Sequence, residues 1–318
     1  MSTSHPQIKR LFGKTPPRGG LAVISTARNE AYFWPHFIIH YRNHGASHFI
    51  ILDDNSTDGS LDWLRSQPDV TVYTSTLGFA EPVGKLRFGI AARGLMAQHF
   101  CADQWALIAD LDEFWVPPPQ FATFTQLIAS LEANNRKLCR GMMLDCFPEK
   151  LTDLKSQPLN TPPHLAAPLF DDIGPMQWPA HESRLERAQI GQNVRMRLVK
   201  LLANNGLFSR DEQARRGSPT LYKAPLAKWH PSIRLQSAHV LSGAPYHNDH
   251  QLACAHYKFY PGWEDKVAGA LETGNYYNGS IEYRMLALVR AHLGDTELRG
   301  PATKDFSLIA LAEAQLLF

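Results

Sequence analysis

At 318 residues the chain can bury a large core and is long for one domain. With 44% apolar and 19% charged residues it has the composition of a folded globular protein, not of a disordered one. A net charge of +2 lacks the basic excess of a nucleic-acid binder, and no run approaches the ~18 apolar residues of a membrane span.

Residues 1–20 carry Lys9, Arg10, Lys14 and Arg18 but no apolar segment of the signal-peptide kind. With Pro16, Pro17, Gly19 and Gly20 they read as a flexible arm. Residues 21–25 (LAVIS) form a first strand, and the polar turn TARNE follows. Phe33, Trp34, Phe37, Ile38 and Tyr41 recur at helical spacing, and Gly45 is a plausible stop. Residues 48–53 (HFIILD) are a second strand, ending in the acceptor-rich turn 54–59 (DNSTDG). A short helix over 60–67, a third strand over 70–73 and a helix over 85–100 come next. Residues 105–109 (WALIA) are a fourth strand that stops at Asp110, Asp112 and Glu113. Residues 140–147 read as a further strand.

Beyond it the pattern changes. Residues 148–180 hold seven prolines and read as a long irregular excursion. Residues 181–218 are rich in arginine, including Arg184, Arg187, Arg195 and Arg197. Residues 221–260 return to short apolar pieces with five histidines, and the end is helical over 281–292 and 306–318. Cys101, Cys139, Cys146 and Cys254 form no C-x-x-C pair, which suggests neither a zinc site nor a disulfide framework. A reduced, cytoplasmic setting is expected, with peripheral contact at the inner face of a membrane left open.

Strands alternating with helices predict an α/β fold with a mainly parallel sheet flanked by helices. In such a sheet the turns 28–30, 53–59 and 110–113 share one edge, where open α/β sheets hold ligands. Asp110 and Asp112 are two apart, so an extended chain points them the same way. Carboxylates there cannot be buried unpaired, because desolvating an anion costs several kcal/mol. They must meet water, cationic side chains or a metal, and a divalent cation carrying a phosphate group suits them.

The segments ARNE (27–30), LDDNSTDG (52–59) and DLDEF (110–114) together resemble the GT-A nucleotide-diphospho-sugar transferases. Within them the chain is most similar to the family-2-like branch with a D-x-D-E-F element, related to family 92. The likeness covers roughly residues 20–120. KAPL (223–226), QSAH (236–239) and AHYKF (255–259) match more loosely.

The resemblance implies a Rossmann-like GT-A fold over 21–318. Residues 21–147 would bind the nucleotide sugar, and 148–318 would supply the irregular acceptor-side insertion and the helical tail. It implies a metal-dependent glycosyltransferase moving a sugar from a nucleotide diphosphate, most commonly a UDP-sugar, to a glycan or glycolipid hydroxyl. The setting would be synthesis of a surface or exported polysaccharide.

Arg28, Asn29, Glu30, Asp53, Asp54, Lys85, Asp110 and Lys223 are the candidate nucleotide-sugar contacts. Asp110 and Asp112 would hold Mn²⁺ or Mg²⁺, with His239 or His256 completing the site. Lys223, Lys258 and the arginines of 184–216 could help neutralise the leaving diphosphate. Glu113, Glu182 and Asp249 are candidate general bases, unranked. The rivals are a non-catalytic sugar-nucleotide or glycan-binding relative and a metal-dependent phosphohydrolase. Phe114 sits wrongly for the latter's D-x-D-x-T/V pattern, and no G-x-S-x-G is present.

Overall fold

The computed structural model describes residues 8–174, 193–217, 220–274 and 276–318. It is an α/β protein built on one large mixed sheet flanked by helices. The strands are β1 (Ile8–Phe12), β2 (Leu21–Ala27), β3 (Ala46–Asp53), β4 (Val70–Ser75), β5 (Pro82–Val83), β6 (Leu86–Arg87), β7 (Trp105–Ile108) and β8 (Glu113–Val116). Then come β9 (Leu138–Cys146), β10 (Leu169–Asp171), β11 (Tyr222–Lys228), β12 (Arg234–Leu235), β13 (Leu241–Ser242), β14 (Leu252–Tyr257) and β15 (Thr303–Asp305). The helices are α1 (Phe33–Asn43), α2 (Ser60–Arg65), α3 (Phe88–Phe100), α4 (Phe124–Ala133) and α5 (Pro163–Ala166). They continue with α6 (Val194–Asn204), α7 (Arg210–Arg216), α8 (Trp263–Thr273), α9 (Tyr277–His292) and α10 (Leu308–Glu313).

The nine-stranded sheet runs β1-β4-β3-β2-β7-β11-β9-β14-β8. The pairs β4-β3, β3-β2, β2-β7 and β9-β14 are parallel; β1-β4, β7-β11, β11-β9 and β14-β8 are antiparallel. The expected mainly parallel sheet is therefore half parallel. Only the block β4-β3-β2-β7 matches the expectation. There successive strands are joined by a crossover helix, and a crossover returns the chain in the same direction.

Side chains alternate between two apolar layers. Phe49 and Ile51 of β3, with Trp105 and Leu107 of β7, pack against α1 through Phe33, Trp34, Phe37, Ile38 and Tyr41. Ile50 and Leu52, with Ala106 and Ile108, face α3 through Phe88, Ala92, Met96 and Ala97. Period-2 alternation in buried strands places one helix layer on each side. Gly141 of β9 permits a close approach, since a Cβ there would lie 2.5 Å from both the Leu252 carbonyl oxygen and the Trp115 ring.

Several expectations change. Ile8–Phe12 is not a free arm but an edge strand on β4. Lys85 is not helical: it lies in the tight turn of the β5–β6 hairpin, and α3 begins at Phe88. The excursion after β9 contains a 3₁₀ turn (Leu151–Ser156), α5 and β10, and β10 pairs with β15. The final helix covers Leu308–Glu313 alone, and Leu311, Leu316 and Leu317 pack in an apolar cluster with Met142 and Leu144 of β9. The four cysteines are buried and unpaired. Among the described residues no helix is long and apolar enough to cross a membrane.

Candidate functional site

The first two turns are knitted together by polar side chains reaching backbone groups. The Asn29 amide N–H donates to Ser56 Oγ at 2.9 Å, and Asn29 Oδ1 accepts from the Thr57 N–H at 2.8 Å. Asp58 Oδ2 accepts from the Ala31 N–H at 2.8 Å, and the Asp54 N–H donates to the Ala27 carbonyl at 2.9 Å. Asn29 adopts φ 55°, a left-handed conformation that asparagine tolerates better than most residues. Arg28 is half exposed, 3.7 Å from Asp54 Oδ2. Asp54 also accepts a long bond from the Phe79 N–H at 3.5 Å. Burial raises its pKa above the ordinary carboxylate value.

Asp53 closes β3 with its side chain inside. Its Oδ2 accepts from the Ser56 N–H at 3.0 Å, while Oδ1 is buried with no hydrogen-bond partner among the described residues. A buried acceptor left unpaired costs about 1–3 kcal/mol.

Arg93 ties this edge to the third turn. From α3 its Nε donates to Thr26 Oγ1 at 2.9 Å, and its Nη2 lies 2.5 Å from Asp110 Oδ1. Asp110 Oδ2 is 3.3 Å from Lys223 Nζ. Burial opposes ionisation of Asp110, but Arg93 and Lys223 outweigh it and hold its carboxyl well below the usual range.

Lys223 enters from β11 and is only 2% exposed; its Nζ also lies 2.7 Å from Glu113 Oε2. Glu113 is 1% exposed and additionally accepts from the Asp110 N–H at 3.0 Å and Trp115 Nε1 at 3.3 Å. Desolvation alone would lower the Lys223 pKa; the two carboxylates reverse this and keep it charged.

Asp112 heads a second set of ion pairs. Its Oδ2 lies 2.5 Å from Lys258 Nζ and 3.6 Å from His256 Nε2. His256 Nδ1 is 2.7 Å from Asp145 Oδ1. Asp145 Oδ2 accepts from Arg195 Nε at 2.7 Å, and Arg195 continues to Glu282 at 3.3 Å. Arg216 also reaches Glu282, at 2.5 Å. Burial favours neutral Asp112 and Asp145, yet Lys258 and His256 on one, Arg195 and His256 on the other, hold both below the usual carboxylate range.

Asp110 and Asp112 stay partly open, with side chains 33% and 20% exposed. The three turns thus meet at one edge, and both aspartates already have cationic partners.

No protein-family model matches the chain, and no curated protein matches it. Among solved structures, one similar chain is the mannosyltransferase PcManGT from Pyrobaculum calidifontis, in complex with GDP-Man and Mn²⁺. The identity is 18% and the TM-score 0.28, over 46% of this chain and 42% of that one. The overlap takes in less than half of either chain, so activity is argued from the residues alone.

The remaining expected site residues divide clearly. Glu30 lies 2.5 Å from Lys266, and burial raises its pKa despite that lysine. His239 borders the acidic turn: its Nδ1 lies 2.9 Å from the Tyr222 carbonyl. Burial lowers its pKa to about 4, helped by Lys223. A carbonyl only accepts, so Nδ1 carries the proton and Nε2 keeps its lone pair. His256 faces carboxylates through both ring nitrogens, an orienting position.

Lys223 is an internal counter-ion and not an exposed phosphate contact. Lys85 is exposed on the β5–β6 turn. Glu113 is sealed by its donors, which does not suit a base that must touch an acceptor hydroxyl. Asp249 pairs with Arg136 at 2.6 Å, just before β9 starts, at the opposite end of the strands. Glu182, Arg184 and Arg187 lie outside the described residues. Among the described residues no group of three or more His, Cys, Asp or Glu side chains could hold a metal.

The sequence analysis missed Arg93, Asp145, Lys266 and Glu282, and it placed Arg195 at the leaving diphosphate, whereas Arg195 pairs with Asp145 and Glu282. Asp145 left a signal: it is the one charged residue in the otherwise apolar run 141–147. Arg93 left a weaker one, a cation among the small apolar residues of α3. The others are charges on surface-like helices, and only the fold gives them partners.

Proposed function

We propose that this chain is a nucleotide-sugar-dependent glycosyltransferase of GT-A type. It would carry a sugar from a nucleoside diphosphate to a hydroxyl of a glycan or glycolipid, in synthesis of a surface or exported polysaccharide. The observation that carries the reading is the meeting of three turns at one sheet edge. One of them offers a buried, unpaired carboxylate oxygen on Asp53; another offers two part-open aspartates.

Each piece has a physical role. Asp53 Oδ1 would accept an N–H of the nucleotide base, which removes the penalty of leaving it unpaired. The turn 28–30, held by Asn29 and Ser56, would sit beside the ribose.

A divalent cation fits this donor set as a shared ion, not as a resident one. Asp110 and Asp112 supply hard oxygens, and the other ligands would be diphosphate oxygens and water, the usual arrangement for Mg²⁺-like ions. When bound, the ion neutralises charge on the departing nucleoside diphosphate. Lys258 and Arg93 would orient the two aspartates, and Lys258 would add positive charge beside the same oxygens.

One observation favours a second reading, a non-catalytic sugar-nucleotide binder. Asp110, Glu113 and Asp112 are matched by Arg93, Lys223 and Lys258, three anions against three cations, so the edge is balanced in charge without a metal.

Turnover separates the two. UDP-, GDP- and dTDP-sugars are incubated with the protein and Mn²⁺ or Mg²⁺, and nucleoside diphosphate release is followed. The transferase reading expects metal-dependent release that falls on the order of 10²-fold in Asp112→Asn, the scale of losing one preorganised charge contact. Binding without release, unchanged by a chelator, supports the binder. Phosphate release from simple monoesters supports a hydrolase.

A further inference from the structure

Four tyrosines gather in two pairs near the first turn of the acidic edge. Tyr32 and Tyr260 stack with ring centroids 4.7 Å apart and an interplanar angle of 21°. Tyr276 and Tyr283 meet at 4.5 Å and 54°. The Glu30–Lys266 ion pair closes at 2.5 Å, with Lys266 Nζ 5.9 Å from the centre of the Tyr276 ring. Lys266 also donates to the Arg28 carbonyl at 3.3 Å, which fixes this group against the first turn.

The hydroxyls are what set these tyrosines apart. Tyr32 donates to the Thr161 carbonyl at 2.8 Å, and Tyr41, deep in the core, donates to the Glu113 carbonyl at 2.8 Å. Tyr260, Tyr276 and Tyr283 give their hydroxyls no partner among the described residues, nor are those oxygens sealed from solvent. Glu30 Oε2 is likewise without a hydrogen-bond partner, while Oε1 takes Lys266. Buried tyrosines normally find a partner for the O–H, and a wall meant only for packing has no use for one. Lys266 holds both Glu30 and the Arg28 carbonyl, so this wall stands against the first turn of the acidic edge.

We propose that Tyr260, Tyr276 and Tyr283, with the Glu30–Lys266 pair, form a saccharide subsite that takes the acceptor as an uncharged pyranose. Its apolar C–H face would lie on the aromatic rings. Its hydroxyls would pair with the three phenols and with Glu30 Oε2, groups that both donate and accept or only accept. Concave sites of aromatic surface with a few placed polar groups are the general form of small-ligand sites. The assignment rests on the glycosyltransferase reading for the word acceptor, but saccharide binding is tested without it.

Saturation-transfer NMR on the full chain, with methyl glycosides of glucose, galactose, mannose and N-acetylglucosamine, provides the test. Each glycoside is titrated alone and with saturating UDP or GDP. At least one is expected to bind, with affinity reduced about 5-fold in Tyr276→Phe and in Tyr283→Phe, the scale of one net hydrogen bond. Tyr→Phe keeps the ring, and the thermal midpoint reports that each variant is folded. Nucleoside diphosphate binding should be unchanged in both.

Failure of every glycoside to bind, with and without nucleotide, overturns the subsite. So does binding that both variants leave intact. If glycosides bind and lose affinity in the variants while no nucleoside diphosphate binds, the subsite stands and the donor reading falls. If nucleotide binds and no glycoside does, the reverse holds.

Discussion

The two sides of the acidic edge are built differently. Around Asn29, Ser56, Thr57 and Asp58 the turns are fixed by short, neutral or singly charged bonds between side chains and backbone. Around Glu113, Asp145 and Asp112 the structure relies on buried ion pairs whose partners come from β11, β14, α6 and α9. The first kind of site is rigid at low energetic stake, because each bond contributes about 1 kcal/mol. The second is expensive to break, since removing one ion strands another in a poorly solvated place. On the proposed reading, one edge would present a firm mould for a nucleotide beside charges that stay fixed when a diphosphate arrives.

The largest expected effect is on the buried side. Lys223→Met should lower unfolding free energy by about 3–5 kcal/mol, because Glu113 and part of Asp110 lose their cation. Denaturant unfolding measures it. Adding Glu113→Gln should recover more than ~1 kcal/mol, the signature of direct coupling. A single-variant cost near that of an exposed ion pair would erase the contrast between the two sides.

On the turn side, Asn29→Ala should cost only ~1 kcal/mol, through loss of the bond from the Thr57 N–H and the strain of φ 55°. Asn29→Gly should cost less, since glycine accepts that backbone and loses only the acceptor. Equal costs for the two would show that the left-handed backbone contributes nothing.

Acid sharpens the comparison further. The folded-state pKa values of Asp112 and Asp145 lie below the ordinary carboxylate value. The unfolded chain therefore binds these protons first. The stabilisation is fully present above the unfolded value near ~4 and is lost as pH falls below it toward the folded values. Asp112→Asn should flatten part of the stability loss seen between about pH 4 and the acid end. Asn29→Ala has no titrating group and should shift the whole stability-against-pH curve down in parallel. The smallest effect belongs to Lys85→Ala, within about 0.5 kcal/mol of wild type, because the side chain is exposed on the β5–β6 turn.

The contrast also explains what was legible in the sequence. Strands β2, β3, β4 and β7 with helices α1 and α2 follow from compact apolar runs, helical spacing and turn residues, all local signals. The convergence of the three turns followed from that parallel block. The antiparallel insertion of β11 between β7 and β9 did not, because nothing local fixes which distant strands pair. The same holds for the site. Asp53, Asp110 and Asp112 announce themselves at strand ends. Lys223, Asp145 and Arg195 acquire their roles only from the strand order that brings β11, β9 and α6 to the acidic turn. Glu113 looked like a reactive acid because sequence does not reveal that Lys223 and Trp115 enclose it.

Thermal unfolding with UDP, GDP or dTDP, each with and without Mn²⁺, tests the central claim most directly: that this edge grips a nucleoside diphosphate. The account predicts that at least one nucleotide stabilises the protein, by about 2.7 kcal/mol at a hundredfold excess over its dissociation constant. Stabilisation should need Mn²⁺ and should fall sharply in both Asp53→Ala and Asp112→Asn. No stabilisation by any nucleotide, or equal stabilisation of wild type and both variants, would contradict it.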